Sequence, residues 1–273
     1  MASQQIPPRA HLRIRPSAVA GSFYPADPQQ LHRDIKTYLD NAGRSGPFKT
    51  WAPKALITPH AGYVYSAPIA ASAFRTLKHR EDIHRVVLLG PSHRVPFKGI
   101  ASPDCDSFRT PLGIIPLDTQ VLEQLEHLNL VQPLADAHRL EHSLEVQLPF
   151  LQTLLDDFEL IPLVVGDAEP ETVAEVLDML WGGDETLIII SSDLSHYLEY
   201  SNAKSTDRRT TQAIESFDHH LNGEQACGCR AINGLLCCAH AKRMQLTTLD
   251  VRNSGDTAGD KDRVVGYGAY ALH

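Results

Sequence analysis

The chain of 273 residues is 42% hydrophobic and 21% charged, which supplies one buried sheet with a solvated surface, and no stretch of it reads as an interdomain linker. Its 25 Lys and Arg against 33 Asp and Glu give a formal charge of −8, and no basic stripe follows a phosphate backbone, so nucleic acid is not an expected partner. Cys105, Cys227, Cys229, Cys237 and Cys238 show no disulfide-framework spacing, which points to a reducing compartment.

Residues 1–11 read as a flexible N-terminal arm and residues 12–273 as a single domain. The stretch from Met1 to Pro16 carries Arg9, Arg13 and Arg15 without the apolar core of a signal peptide. No run approaches the ~18 apolar residues of a membrane helix, so no membrane association is expected and the expected location is the cytoplasm.

Asp27 caps a helix that begins at Pro28, buries Leu31, Ile35 and Leu39, and ends at Asn41-Ala42-Gly43. Ala55-Leu56-Ile57 forms a short strand that stops at Thr58-Pro59-His60, and a small-residue helix is expected over 68–77. Val86-Val87-Leu88-Leu89 repeats the pattern, broken by Gly90-Pro91-Ser92-His93, and residues 98–117 read as short strands and turns. Residues 142–155 have helical spacing, with Pro149 shifting or kinking the start. A strand over 160–165, a helix over 173–180 and the very apolar strand Leu187-Ile188-Ile189-Ile190 follow. Helices over 204–217 and 230–244 and strands over 246–251 and 264–270 close the chain. Apolar strands separated by helices predict an α/β fold with a largely parallel central sheet covered on both faces.

In open α/β sheets, ligands bind outside the carboxyl ends of the strands. Three strands here deliver chemistry at that end: His60 after the first, His93 after the second, and Asp193 with His196 after the strand at 187–190. Two imidazoles on separate loops need one more donor to hold Fe, Zn, Cu or Ni with open positions, and Asp193, Glu141 and Glu145 are acids able to accept the second ring N–H. Tyr63 and Ser92 belong to the same two tight turns and are candidate lining residues. For Asp193 and His196 two readings stay open, a helix cap with a backbone hydrogen bond or a place in the site. His142 and Glu145 either line the site or reflect the fit of an acidic segment to a helix start. The cysteines lack zinc-site spacing and read as small buried residues, with Cys227 alone, ahead of a glycine, a candidate to reach the pocket.

Gly21-Ser22-Phe23-Tyr24-Pro25, Pro59-His60-Ala61-Gly62-Tyr63-Val64-Tyr65-Ser66, Gly90-Pro91-Ser92-His93, Phe108-Arg109-Thr110-Pro111-Leu112-Gly113, Glu141-His142-Ser143-Leu144-Glu145 and Ser191-Ser192-Asp193-Leu194-Ser195-His196 together resemble the Memo family. This family is the second component of the AmmeMemoRadiSam system, and the resemblance covers nearly the whole chain. It implies a three-layer α/β sandwich like that of the class III extradiol dioxygenases, in which Fe(II) sits on two histidines and a carboxylate with another histidine as acid and base. The resemblance carries His60 and His93 over as metal ligands and His196 as the catalytic histidine, with Asp193 beside it.

Animal Memo proteins use a cysteine in the loop before the last strand, and Asn253-Ser254-Gly255-Asp256-Thr257-Ala258 has none. Asp256 is therefore the candidate third donor, completing a set suited to Fe(II) and O₂, although Gly255-Asp256 reads equally as a turn. The expectation is an Fe(II)-dependent oxidoreductase acting on an unknown small molecule, with Cu or Zn as other metals. Its rivals are metal-assisted hydrolysis and a non-catalytic module that binds a peptide or a radical-SAM partner of the same system.

Overall fold

A computed structural model describes residues 12–43 and 51–273, and the expected N-terminal arm, residues 1–11, lies outside the described residues. The chain runs β1 (Ile14–Arg15), α1 (Pro28–Gly43), β2 (Ala55–Thr58), α2 (Tyr63–Phe74), β3 (Arg85–Pro91), β4 (Ile100–Ser102), β5 (Ser107–Thr110), β6 (Gly113–Pro116), α3 (Thr119–His127), β7 (Gln132–Pro133) and α4 (Ala135–Arg139). It continues through α5 (Leu148–Leu154), β8 (Glu159–Val165), α6 (Pro170–Met179), β9 (Thr186–Ser191), β10 (His196–Leu198), α7 (Tyr200–Glu215), α8 (Cys229–Ala241), β11 (Leu246–Asn253) and β12 (Val264–Leu272).

The main sheet has the order β10-β12-β2-β9-β3-β8-β4-β7, with β11 also paired to β12. Its inner strands β2, β9, β3 and β8 are mutually parallel, as their unbroken apolar runs require. Leu187, Ile188, Ile189 and Ile190 are fully buried, and each such side chain contributes about 1.5–3 kcal/mol relative to exposure. The parallel expectation holds for this centre and not for the flanks. Strand β12 runs antiparallel to β2, β10 and β11, and β4 runs antiparallel to β8. Helix α2 packs on β2, β11 and β12, while α8 packs on β3 and β9 with α6 behind it, an arrangement consistent with three layers.

Two helices differ from the sequence expectation. Helix α2 starts at Tyr63 rather than residue 68 and carries Pro68 inside it; the carbonyl that Pro68 leaves without a donor belongs to Val64, an exposed residue. The helix expected over 142–155 is a 3-10 turn, Glu145–Gln147, leading into α5, where Pro149 sits in the first turn and costs no hydrogen bond. Helix α3 went unforeseen although Asp118 caps it through the Val121 N–H at 3.1 Å. Among the described residues no helix is long and apolar enough to cross a membrane.

The register sets the site. Thr58 on β2 lies beside Ser191 on β9, and Leu89 on β3 beside Ile190 on β9, so the three strands end level on one rim. The loops carrying His60, Asp193 and His93 therefore leave the sheet side by side, with that of Asp193 in the middle.

Candidate metal centre

His60, His93 and His142 meet on this rim. One nitrogen from each ring lies within 4.8 Å of the others, and the ring centroids are 5.1 Å (His60 to His93), 5.4 Å (His60 to His142) and 4.5 Å (His93 to His142) apart. His60 is buried, His142 half-buried and His93 exposed, so the trio opens toward solvent from a buried base. His196, Asp193 and Cys227 line the same cleft, whose volume is about 790 Å³.

Hydrogen bonds fix which nitrogen each ring offers. Glu141 Oε1 lies 2.8 Å from His93 Nδ1 and 3.2 Å from His142 Nδ1, and an ionised carboxylate only accepts, so both rings carry their proton on Nδ1. His60 Nδ1 lies 2.9 Å from Ser191 Oγ. That hydroxyl gives its one proton to the Ser143 carbonyl at 2.6 Å and accepts from Gln147 Nε2 at 2.7 Å, so His60 Nδ1 must also donate. Gln147 is oriented in turn: its Oε1 accepts from Thr58 Oγ1 and its Nε2 also donates to the Pro59 carbonyl. With Nδ1 engaged in each ring, Nε2 is the nitrogen that each can offer a metal in its neutral form.

The electrostatics agree. Burial, reinforced by neighbouring His93 and His142, holds His60 well below its ordinary range and neutral. Burial alone would raise the Glu141 carboxyl, but the hydrogen bonds from His142 and His93 outweigh it and hold the group well below the usual carboxylate range. Burial pushes Cys227 far up, so its thiol is protonated; Cys227 Sγ lies 3.4 Å from His60 Nε2.

The other sequence candidates fall in different places. Asp193 lines the cleft, but its Oδ1 accepts the His60 backbone N–H at 2.8 Å and makes no hydrogen bond to His196, so it positions the His60 loop. Its buried carboxyl is raised by desolvation against that hydrogen bond. Asp256 does not join the imidazoles: Oδ2 accepts the Asn253 N–H at 3.1 Å in a capping box and Oδ1 accepts from Tyr200 Oη at 2.6 Å, which realises the turn reading. Glu145 lies below the site, bound by Arg15, Tyr24 Oη and the Ala18 and Val19 N–H groups. Tyr63 Oη donates to the Val146 carbonyl in the core, and Ser92 Oγ donates to the Val95 carbonyl beside a neighbouring cavity of about 240 Å³ that Cys227 also lines. His142, read from sequence only as a lining residue, is the third imidazole, and Glu141 is the acid that orients two of the three.

The Memo-like protein family model matches residues 15–271. MEMO1 family proteins of Aquifex aeolicus and Methanosarcina barkeri are each 34% identical to the chain, over 94% of it and 98% of their own lengths. A MEMO1 family protein of Archaeoglobus fulgidus is 35% identical over 93% of this chain and 97% of its own. A match across almost the whole sheet and every loop of the site leaves one conclusion, that the chain belongs to the Memo family.

Proposed function

We propose that this chain is a metal-dependent oxidoreductase whose divalent ion, Fe(II) in our reading, is held by Nε2 of His60, His93 and His142. The observation that carries the reading is the shared geometry: three imidazoles with Nδ1 engaged, which leaves Nε2 as the donor each can offer, and one nitrogen of each ring within 4.8 Å of the others. When bound, such an ion would supply Lewis-acidic and redox chemistry in the cleft. Glu141 holds the His93 and His142 rings in place, Ser191 holds His60, and the Asp193 carboxylate fixes the His60 backbone. His196, on the same cleft wall, is the group placed to move protons for a small substrate. The likeness in fold to class III extradiol dioxygenases that the Memo resemblance implies is in keeping with this reading.

The test is metal content after anaerobic Fe(II) loading and desalting. One ion per chain is expected, absent from the double variant His60→Ala, His93→Ala and from His142→Ala, and retained by Asp256→Ala. Undiminished metal in the double variant overturns the assignment. A second reading, metal-assisted hydrolysis, draws on the same observation, because three imidazoles are also a zinc donor set that activates water. Turnover that requires O₂ supports the oxidoreductase, and turnover that persists without O₂ supports the hydrolase.

A further inference from the structure

Strand β10 pairs with β12 through His196↔Val265 and Leu198↔Val264. Two residues on β10 therefore pass one step of β12, and Tyr197 is the extra residue of a bulge. Its φ of 59° lies in the left-handed region, which aromatic residues rarely adopt and which clusters at functional sites. The bulge turns the Tyr197 ring outward, 63% exposed at the mouth of the cleft. Arg263 lies over it, with its guanidinium carbon 5.2 Å from the ring centroid. Among the described residues that guanidinium has no ion pair or hydrogen bond. Asp260, an acid that lines the cleft along with Asp193, uses Oδ1 on the backbone N–H groups of Asp262, at 3.1 Å, and Arg263, at 3.5 Å, and not on the guanidinium.

Arg263 is thus an oriented, uncommitted cation in the same cleft as the three imidazoles. Phe23, Tyr65 and Tyr267 line the same cleft with aromatic surface. Among the described residues no carboxylate belongs to the imidazole set, so these ligands would leave the charge of a divalent ion held there uncancelled. Both features favour an anionic ligand with a flat apolar body, and a guanidinium fork matches a carboxylate with two parallel hydrogen bonds.

We propose that Arg263, stacked on Tyr197, is a substrate-binding residue that receives the carboxylate of an aromatic small molecule. This deepens the metal-centre reading and rests on it for the end of the substrate that reacts. The subsite itself is testable without metal.

Benzoate and its neutral isostere benzamide are titrated calorimetrically into the metal-free full chain. Benzoate is expected to bind more tightly than benzamide, to lose roughly tenfold or more in Arg263→Gln, and to lose less in Arg263→Lys, which keeps the charge without the fork. Benzamide binding is expected to be the same in all three proteins. Equal benzoate affinity in wild type and Arg263→Gln, or benzamide binding as tight as benzoate, overturns the proposal. The same benzoate difference measured in a His60→Ala background separates the two readings, because loss of metal there leaves the subsite intact.

Discussion

Glu141 Oε1 approaches Nδ1 of both His93 and His142, at 2.8 and 3.2 Å, so one carboxylate sets the orientation of two of the three imidazoles. The same oxygen accepts the His142 and Ser143 N–H groups, and Oε2 accepts the N–H of His93, which ties the loop after β3 to the segment before α5. Replacing Glu141 by Gln keeps the size but removes the charge. Outer partners of this kind are worth about 10–100-fold in metal affinity. Glu141→Gln is expected to weaken metal binding by that order, read by competition with a chelator of known affinity.

Arg15 and Glu145 form an ion pair of 2.7 Å with both side chains almost fully buried. Arg15 also donates to the carbonyls of His138 and Glu141, so it braces the segment that carries His142. Truncating it to Ala leaves the carboxylate in the interior with its neutral donors alone. The expected cost is about 3–5 kcal/mol, measured by urea unfolding of the metal-free protein.

His138 provides a pH-dependent element away from the imidazole cluster. Its Nε2 donates to the Ala101 carbonyl at 2.9 Å, and burial pushes its pKa down from 6.5 to about 4. Because the folded value lies below the unfolded one, the stability of the neutral ring is fully present above pH 6.5 and is lost as pH falls through about 4. The full loss is roughly 3 kcal/mol. His138→Gln, which can still donate to Ala101, is expected to flatten the decline of the denaturation midpoint between pH 6.5 and 4 relative to wild type.

Gly234 in α8 faces α6 so closely that an added Cβ would stand 2.4 Å from Cβ of Val173. Alanine is the better helix former by about 1 kcal/mol, but overpacking between two helices costs about 1–3 kcal/mol, and Cβ of Val173 cannot swing aside. Gly234→Ala is expected to lower the thermal midpoint. Gly223, with open space around it, is the control position.

The strand-end imidazoles were legible because the signals are local. Short apolar runs of parallel-strand character, each followed at once by a tight turn, place His60 and His93 on one rim whatever the rest of the chain does. His142 was harder to read because it comes from the approach to α5 and not from a strand end, and only the folded sheet brings it to the other two. Asp256 drew attention by lying in the right loop. Asn253 three residues before it was a visible capping-box signature, and that local use outweighs a ligand role. Glu145 takes the helix-start reading, in the first turn of the 3-10 segment before α5, but its buried partner Arg15 is 130 positions away, and no local pattern announces it.

The serine at the end of β9 has a consequence for how the chain matures. Ser191 gathers the ring of His60, the amide of Gln147 and the carbonyl of Ser143, groups that come from two separate stretches of polypeptide, each far from β9 in sequence. A disordered chain offers no such convergence, so an ion would recognise the finished sheet and ignore its precursors. By mass action, an ion at a thousandfold its dissociation constant adds about 4 kcal/mol to the folded state. Under the proposed metal centre, the supply of the ion would thus set part of the stability of the fold.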